Sequence, residues 1–446
     1  MTETIIEAQP ATDADFLHDV AARALKAGAS DVQVDGRASR SLSVDVRDGS
    51  FQDIRHDEIA AINVTTYVGK RRATLGTNKF ARADIDQLID RVIAMTRLAP
   101  ENPFYGLAGR DEIVGPGNDA FLALYDPYEP TPEMLEDWAG QVEEAARAIQ
   151  GVVSTDSAGA SWEAATGRTI NTAGLDRRSD GTRFGVGVGV MAARGDAREV
   201  AGAGRGARWH SDLPACAAIG TEAGMDAAAK LGARKIASGN HPVIFDRRIA
   251  MCLIEPMLGA ITGENIARGT SFLKDRLGDQ VFAKGITLTD DAFVVRGQAS
   301  RACDAEGIPP QRRALVDRGV LTGWMTDLAA ARELGLASTG HAGGPTNLTI
   351  LPGDTDQAGL MRAAGRGLLV DALFGPSLNP HTGDWSVGVS GQWFEQGEIA
   401  YPVSEVTVAG NLLDLYAGLV AGSDLEFRGA ANAPSLLVPQ MAIGGQ

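Results

Sequence analysis

The chain has 446 residues, a formal charge of −16 at pH 7, 44% apolar and 22% charged residues, which suits a globular protein of about two or three domains. So much negative charge repels phosphate backbones and anionic lipid heads, so neither nucleic acid nor a membrane surface is expected as a partner. Its 54 glycines against 6% aromatics point to turns and closely packed strands rather than long helical bundles.

The opening stretch, MTETIIEAQPATDADF, has no basic start followed by an apolar run, so no signal peptide is expected. Leu17, Val20, Ala21, Ala24 and Leu25 recur at helical spacing, and Gly28 sits where a C-cap belongs. Alternation follows: Val32 and Val34, then Leu42, Val44 and Val46, run into Asp48-Gly49, after which come Phe51 and Ile54. That predicts a hairpin, continued by a strand through Ile62, Val64, Thr66 and Val68. A second helix carries Ile85, Leu88, Ile89, Val92 and Met95 and closes at Pro100.

From Pro100 to Pro132 the chain holds Pro103, Pro116, Pro127 and Pro130 with little periodicity, which predicts a surface linker. A helix through Leu135, Trp138, Val142, Ala145 and Ile149 comes next, then strands around Val152, Trp162, Ile170 and the run Phe184 to Val190. A helix from Thr221 to Lys235 leads to a second boundary at Gly239-Asn240. The segments VRDGSFQDIRHDEIAAINVTTYVGKRRAT and TGRTINTAGLDRRSDGTRFGVGVGVMAARG echo each other loosely, as a duplication or any two similar hairpins would. The last 200 or so residues mix short strands (Val243 to Phe245, Ile286 to Leu288, Val406 to Val408) with a helix from Asp246 towards Gly259 and another from Thr355 to Leu369. The expected fold class is α+β. Residues 1–100 and 133–238 form two helix-plus-antiparallel-sheet units joined by a linker at 101–132, and 239–446 form a larger β-rich domain.

No self-sufficient catalytic constellation is present. The six histidines lie far apart, and no two sit three or four residues from each other, the spacing that puts two imidazoles on one helical face. Cys216, Cys252 and Cys303 form no C-x-x-C, which fits a reducing cytoplasm. Gly269-Thr270-Ser271-Phe272-Leu273 lacks the last glycine of a nucleophile elbow. Gly185, Gly187 and Gly189 alternate with valines, a strand with a closely packed glycine face rather than a dinucleotide turn. The longest apolar run, IAMCLIEPMLGAI, is broken by Glu255 and Pro256 and is too short to span a bilayer.

The strings GENIARGTSFLKDRLGDQVFA, DAEGIPPQRRALVDRGVLTGWMTD, ARELGLASTGHAGG and GEIAYPVSEVTVAGNLLDLY cover most of the last 200 residues. They resemble the C-terminal domain of the TldD/PmbA, or modulator-of-gyrase, family. STGHAGG and YPVSEVTVAGN are closer to its PmbA (TldE) branch. The resemblance implies a heterodimer around a chamber that takes unfolded polypeptides, with zinc in the TldD-type subunit and none in the PmbA-type one. Catalytic members carry H-E-x-x-x-H ahead of a glycine-acidic pair and G-T-S. Matching Gly263-Glu264 and Gly269-Thr270-Ser271 to that pattern puts Ile254 and Gly259 at the histidine positions and keeps only Glu255. Catalytic members also take a late cysteine ligand, and GDWSVGVSGQWFEQGE has none.

The resemblance therefore implies a chain without its own metal or catalytic residues. It would act as the cytoplasmic partner of a zinc-bearing TldD-type subunit, or as a homodimer in isolation. Glu255, Gly263, Ser271, His341 and Gly343 are the positions at which it would touch substrate. Two alternatives are an autonomous metallopeptidase using Cys303, His341 and His381, and a peptide-binding regulatory homodimer without enzyme activity.

Overall fold

The computed structural model describes residues 10–445; part of the opening stretch read for a signal peptide lies outside them. Helix α1 (Ala14–Lys26) is capped by Asp13, whose side chain accepts from the Phe16 amide at 2.7 Å, and buries Leu17, Val20, Ala21 and Ala24. Strands β1 (Asp31–Arg47) and β2 (Ser50–Val68) form the expected hairpin. Its two turn residues, Asp48 and Gly49, have φ of 50° and 75°, the left-handed pair that matches strand twist and favours Asp-Gly. Strand β3 (Arg71–Thr77) and helix α2 (Arg82–Leu98) complete the first unit.

Residues 99–131 are largely irregular apart from a one-turn 3-10 segment and the two-residue strand β4 (Gly117–Asn118). The second unit repeats the first: α3 (Pro132–Arg147), β5 (Val152–Asn171), β6 (Asp176–Arg194), β7 (Ala197–Ala207) and α4 (Cys216–Ala229). Both units thus run helix, three strands, helix. They share one sheet, because β1 pairs antiparallel with β5 from Gln33 opposite Asn171 to Val46 opposite Ala158. The order is β3-β2-β1-β5-β6, with β7 on the far side of β6 and β4 touching its start.

Each helix pair builds a separate core on this sheet, one around Leu17, Val34, Val64 and Val92, the other around Leu135, Trp162, Phe184 and Ile219. Helices α3 and α4 touch through glycine: a Cβ on Gly220 would lie 2.0 Å from the Val142 carbonyl oxygen, a contact only hydrogen can occupy. The face carrying Gly185, Gly187 and Gly189 is partly exposed. The atoms that would meet side chains there are chiefly those of β5 and β7, such as the Ala203 carbonyl oxygen at 3.2 Å from Gly187, rather than a separate packing element.

The C-terminal part contains two sheets and short helices, the longest being Gln357–Ala364. Strand β8 (Gly239–Phe245) lies inside a six-stranded mixed sheet, parallel to Arg366–Leu378 and antiparallel to Leu436–Gly444. The second sheet is built on Leu288–Asp291, Arg313–Asp317 and Asn347–Ile350. One core spans both, including Phe245, Leu253, Ile254, Phe282, Leu315 and Tyr416.

Two predicted helices differ here. The segment after Phe245 is not one helix to Gly259; it runs as a 3-10 turn (Ala250–Leu253) and then α5 (Glu255–Ala260). Pro256 has no amide to donate and fits only the first turn of a helix, so it starts α5 instead of sitting inside a longer one. The helix expected from Thr355 to Leu369 covers only Gln357–Ala364. Gly365, at φ 74°, ends it, and Leu368 and Leu369 enter the sheet opposite Trp393 and Gln392. The helix placed at Thr221 to Lys235 lies earlier, at Cys216–Ala229.

Candidate functional site

The motif segment is held from both sides. Tyr416 stacks on Phe282 with ring centroids 4.2 Å apart and donates its hydroxyl to the Leu253 carbonyl at 2.6 Å. Beyond α5, helix α6 (Gly263–Ala267) begins at Thr262, whose side chain accepts from the Asn265 amide, while the Asn265 side-chain amide donates to the Gly259 carbonyl at 2.8 Å. Gly263 donates to the Met325 carbonyl at 2.7 Å, and a Cβ there would lie 2.7 Å from that of Ala330. Close packing therefore requires glycine at 263.

This frame closes a cavity of about 280 Å³ lined by Leu258, Gly259, Gly263 and Asp327 on one side and His341, Ala342 and Gly343 on the other. Gly343 and Gly344 have φ of 98° and 92°, so the loop after His341 turns through conformations that favour glycine. Three of the residues singled out from the sequence, Gly263, His341 and Gly343, thus meet at motif position Gly259. Glu255 is exposed on α5 and does not line the cavity. Ser271 is buried, with its hydroxyl accepting from the Leu273 amide at 3.0 Å, a local turn contact.

Chemically the cavity is poor in free donors. His341 has both ring nitrogens engaged, Nε2 with Asp290 Oδ2 and Nδ1 with Thr339 Oγ1, each at 2.8 Å. Burial alone would push the Asp290 carboxyl up, but hydrogen bonds from His341 and Thr346 outweigh it and hold it below the usual carboxylate range.

The two positions that the resemblance matches to histidines offer zinc no ligand. Ile254 is 1% exposed within the core and Gly259 has no side chain, so neither offers a lone pair. The alternative ligands are not assembled either. Cys303 lines a different cavity, where burial above all pushes its thiol up to about 11. His381 is exposed in the turn before Asp384, its amide donating to the Asn379 side chain at 3.1 Å. Burial, with the Glu255 charge adding to it, pushes Cys252 up to about 12, which leaves that thiol protonated and inert at neutral pH. Among the described residues no group of three or more His, Cys, Asp or Glu side chains is arranged to hold a metal ion.

A larger cavity of about 510 Å³, not expected from the sequence, lies between the N-terminal sheet and the loop at 300–305 and is lined by six arginines. The run RRSDGTR at 177–183, basic within a strongly acidic chain, was the available signal.

The comparisons agree with this architecture. Models of the PmbA/TldA metallopeptidase central domain and C-terminal domain match residues 125–231 and 238–445. The chain is 31% identical over 427 residues to metalloprotease PmbA of Escherichia coli O157:H7, covering 95% of this chain and 94% of that one. The crystal structure of a Bacteroides thetaiotaomicron protein assigned as a modulator of DNA gyrase superposes with a TM-score of 0.90 at 26% identity, over 96% of this chain and 98% of that one. TldE from Thermococcus kodakarensis shares the fold, with a TM-score of 0.82 at 19% identity, over 96% and 99% of the two chains. With that likeness running through nearly its full length, the chain belongs to the PmbA/TldD metalloprotease family.

Proposed function

We propose that this chain is the metal-free partner subunit of a two-subunit, TldD-type metalloprotease that processes or degrades unfolded peptides, with the zinc held by the other subunit. The observation that carries this reading is the state of the two histidine positions, Ile254 inside the core and Gly259 without a side chain. Without zinc to lower the pKa of a bound water, the exposed Glu255 has no activated water to deprotonate. The similarity to metalloprotease PmbA supports placing the chain on the PmbA side of the family.

A surface for a peptide or a second subunit is available. The outer edge of β2 is covered by β3 only from Ile62 to Val68, and Ser50 to Ala61 have no strand on that side among the described residues. Phe51, Ile54 and Ile59 on that stretch are 51%, 43% and 58% exposed. An extended chain adds to such an edge through main-chain hydrogen bonds. The three cysteines are free, consistent with a protein working in the reducing cytoplasm.

The test is elemental analysis of the purified chain after dialysis against a mild chelator. Less than a tenth of an equivalent of zinc or iron per chain is expected, and about one tightly held zinc per chain would overturn the reading.

A further inference from the structure

We propose that the arginine-lined cavity between the N-terminal sheet and the loop at 300–305 is a carboxylate subsite, which receives an acidic side chain or the terminal carboxylate of the peptide this chain binds. The proposal rests on the peptide-receiving reading above and names the chemistry that the bound peptide must carry.

The cavity is assembled by strand register. Glu163 on β5 lies opposite Arg183 on β6, and Arg37 on β1 lies opposite Gly167 on β5, so side chains far apart in sequence converge above one patch of sheet. Arg208 follows β7, and Arg301 enters from the C-terminal domain. Six arginines face four carboxylates, and the carboxylates are already committed. Asp119 pairs with Arg177 at 2.6 Å, Asp180 with Arg178 at 3.0 Å, and Glu163 with Arg37. Asp304 accepts from the amides of Glu306, Ile308 and Ala342.

Arg183, Arg208 and Arg301 are left without a carboxylate among the described residues. Arg208 donates only to the carbonyls of Thr182 and Gln298, and Arg301 only to that of Gly344. Among the described residues, the Nε atoms of Arg177, Arg208 and Arg301 are all buried with no hydrogen-bond partner. A buried donor without an acceptor is costly, so these guanidinium groups are held in place at the cost of unmet hydrogen-bonding capacity, and the cavity they line lacks acceptors for their positive charge. Burial first, then the nearby charges of Arg183 and Arg37, with Glu163 opposing, press the Arg208 guanidinium below its ordinary value. Guanidinium forks match a carboxylate in two-pronged geometry. In a chain of net charge −16, this concentration of positive charge favours acidic groups over basic ones by local field.

The experiment titrates the purified full-length chain at low ionic strength with a fluorescent octapeptide containing one Glu. The controls are its Gln counterpart and versions of both with an amidated C-terminus. The wild type is expected to bind the Glu or the free-acid form at least tenfold more tightly than the neutral amide, and the pair of controls identifies which carboxylate is held. Inorganic phosphate is expected to compete. Arg183→Gln removes an exposed arginine with no hydrogen-bond or ion-pair partner among the described residues, so folding is retained, and it is expected to abolish most of that preference, with Arg183→Lys restoring part of it. Arg208→Lys gives a second, independent reading of the same loss. Equal binding of acidic and neutral peptides, absence of binding by either, or a preference unchanged in folded Arg183→Gln would overturn the proposal. Failure to associate with a catalytic subunit, with the acidic preference intact, would sink the partner role and leave the subsite standing.

Discussion

His341 and Asp290 form a buried pair, Nε2 to Oδ2 at 2.8 Å with both side chains 2% exposed. The imidazole also meets the Thr339 hydroxyl, and the carboxylate takes the Thr346 amide and hydroxyl. The pair ties the second sheet to the loop that walls the motif cavity, so its role here is architectural.

Replacing His341 by Ala leaves the buried Asp290 carboxylate short of one hydrogen-bond partner. A loss of about 1.5–3 kcal/mol in urea unfolding at pH 7 is expected, with no change in metal content. Because Asp290 is held below the usual carboxylate range, its contribution is present above the ordinary carboxylate pKa and is lost as pH falls through the lower folded value. Unfolding curves of Asp290→Asn should therefore show a weaker dependence on pH at the acid end than the wild type.

Glu306 gives the opposite sign. Burial, with the charges of Asp327 and Asp304 adding to it and the hydrogen bond from the Leu328 amide and the charge of Arg72 opposing it, pushes its carboxyl up to about 7. An acid with a raised folded pKa contributes stability that is complete below its unfolded value and disappears as pH rises through about 7. Glu306→Gln keeps an oxygen to accept from the Leu328 amide, now at 2.8 Å, and removes the buried charge. It is expected to raise stability by about 1–3 kcal/mol at pH 8 and to be close to neutral at pH 5. Thermal unfolding at both pH values measures this.

Two glycines in the α3–α4 pair separate close approach from mere permissiveness. Gly220→Ala drives a Cβ into the Val142 carbonyl, and a loss of about 1–3 kcal/mol is expected. Gly140, inside α3, has nothing within 4 Å of its Cβ position. Gly140→Ala is therefore expected to stabilise by about 0.5–1 kcal/mol through helix propensity. Melting temperatures of the two variants should move in opposite directions.

Local features of this fold were readable in the sequence, and long-range ones were not. The Asp48-Gly49 hairpin follows from two residues that tolerate left-handed backbone, and α1 follows from the spacing of Leu17, Val20, Ala21 and Ala24. The β1–β5 seam joins residues more than a hundred positions apart, and no local pattern encodes that register, so two units read as separate sheets share one. Leu368 and Leu369 sit in a short apolar run that suits helix or strand equally until Gly365 breaks the backbone. At the candidate site, Gly263, His341 and Gly343, named from their places in the resembling strings, line one cavity with Gly259, while Glu255 and Ser271 from the same set do not. The basic run at 177–183 hints at the arginine cavity, but its other members are not local to that run: Arg37, Arg208 and Arg301 join it only once the strands are in register.

Reconstitution distinguishes a partner subunit from a self-sufficient peptidase. The purified chain, the TldD-type subunit from the same cell, and an equimolar mixture of the two are each assayed on an unfolded polypeptide, with size-exclusion chromatography on the same samples. Expected are no cleavage by this chain alone, a complex containing both subunits with zinc only in the other, and cleavage well above that of either alone. Cleavage by this chain alone, or two subunits that never co-elute, would contradict the partner role.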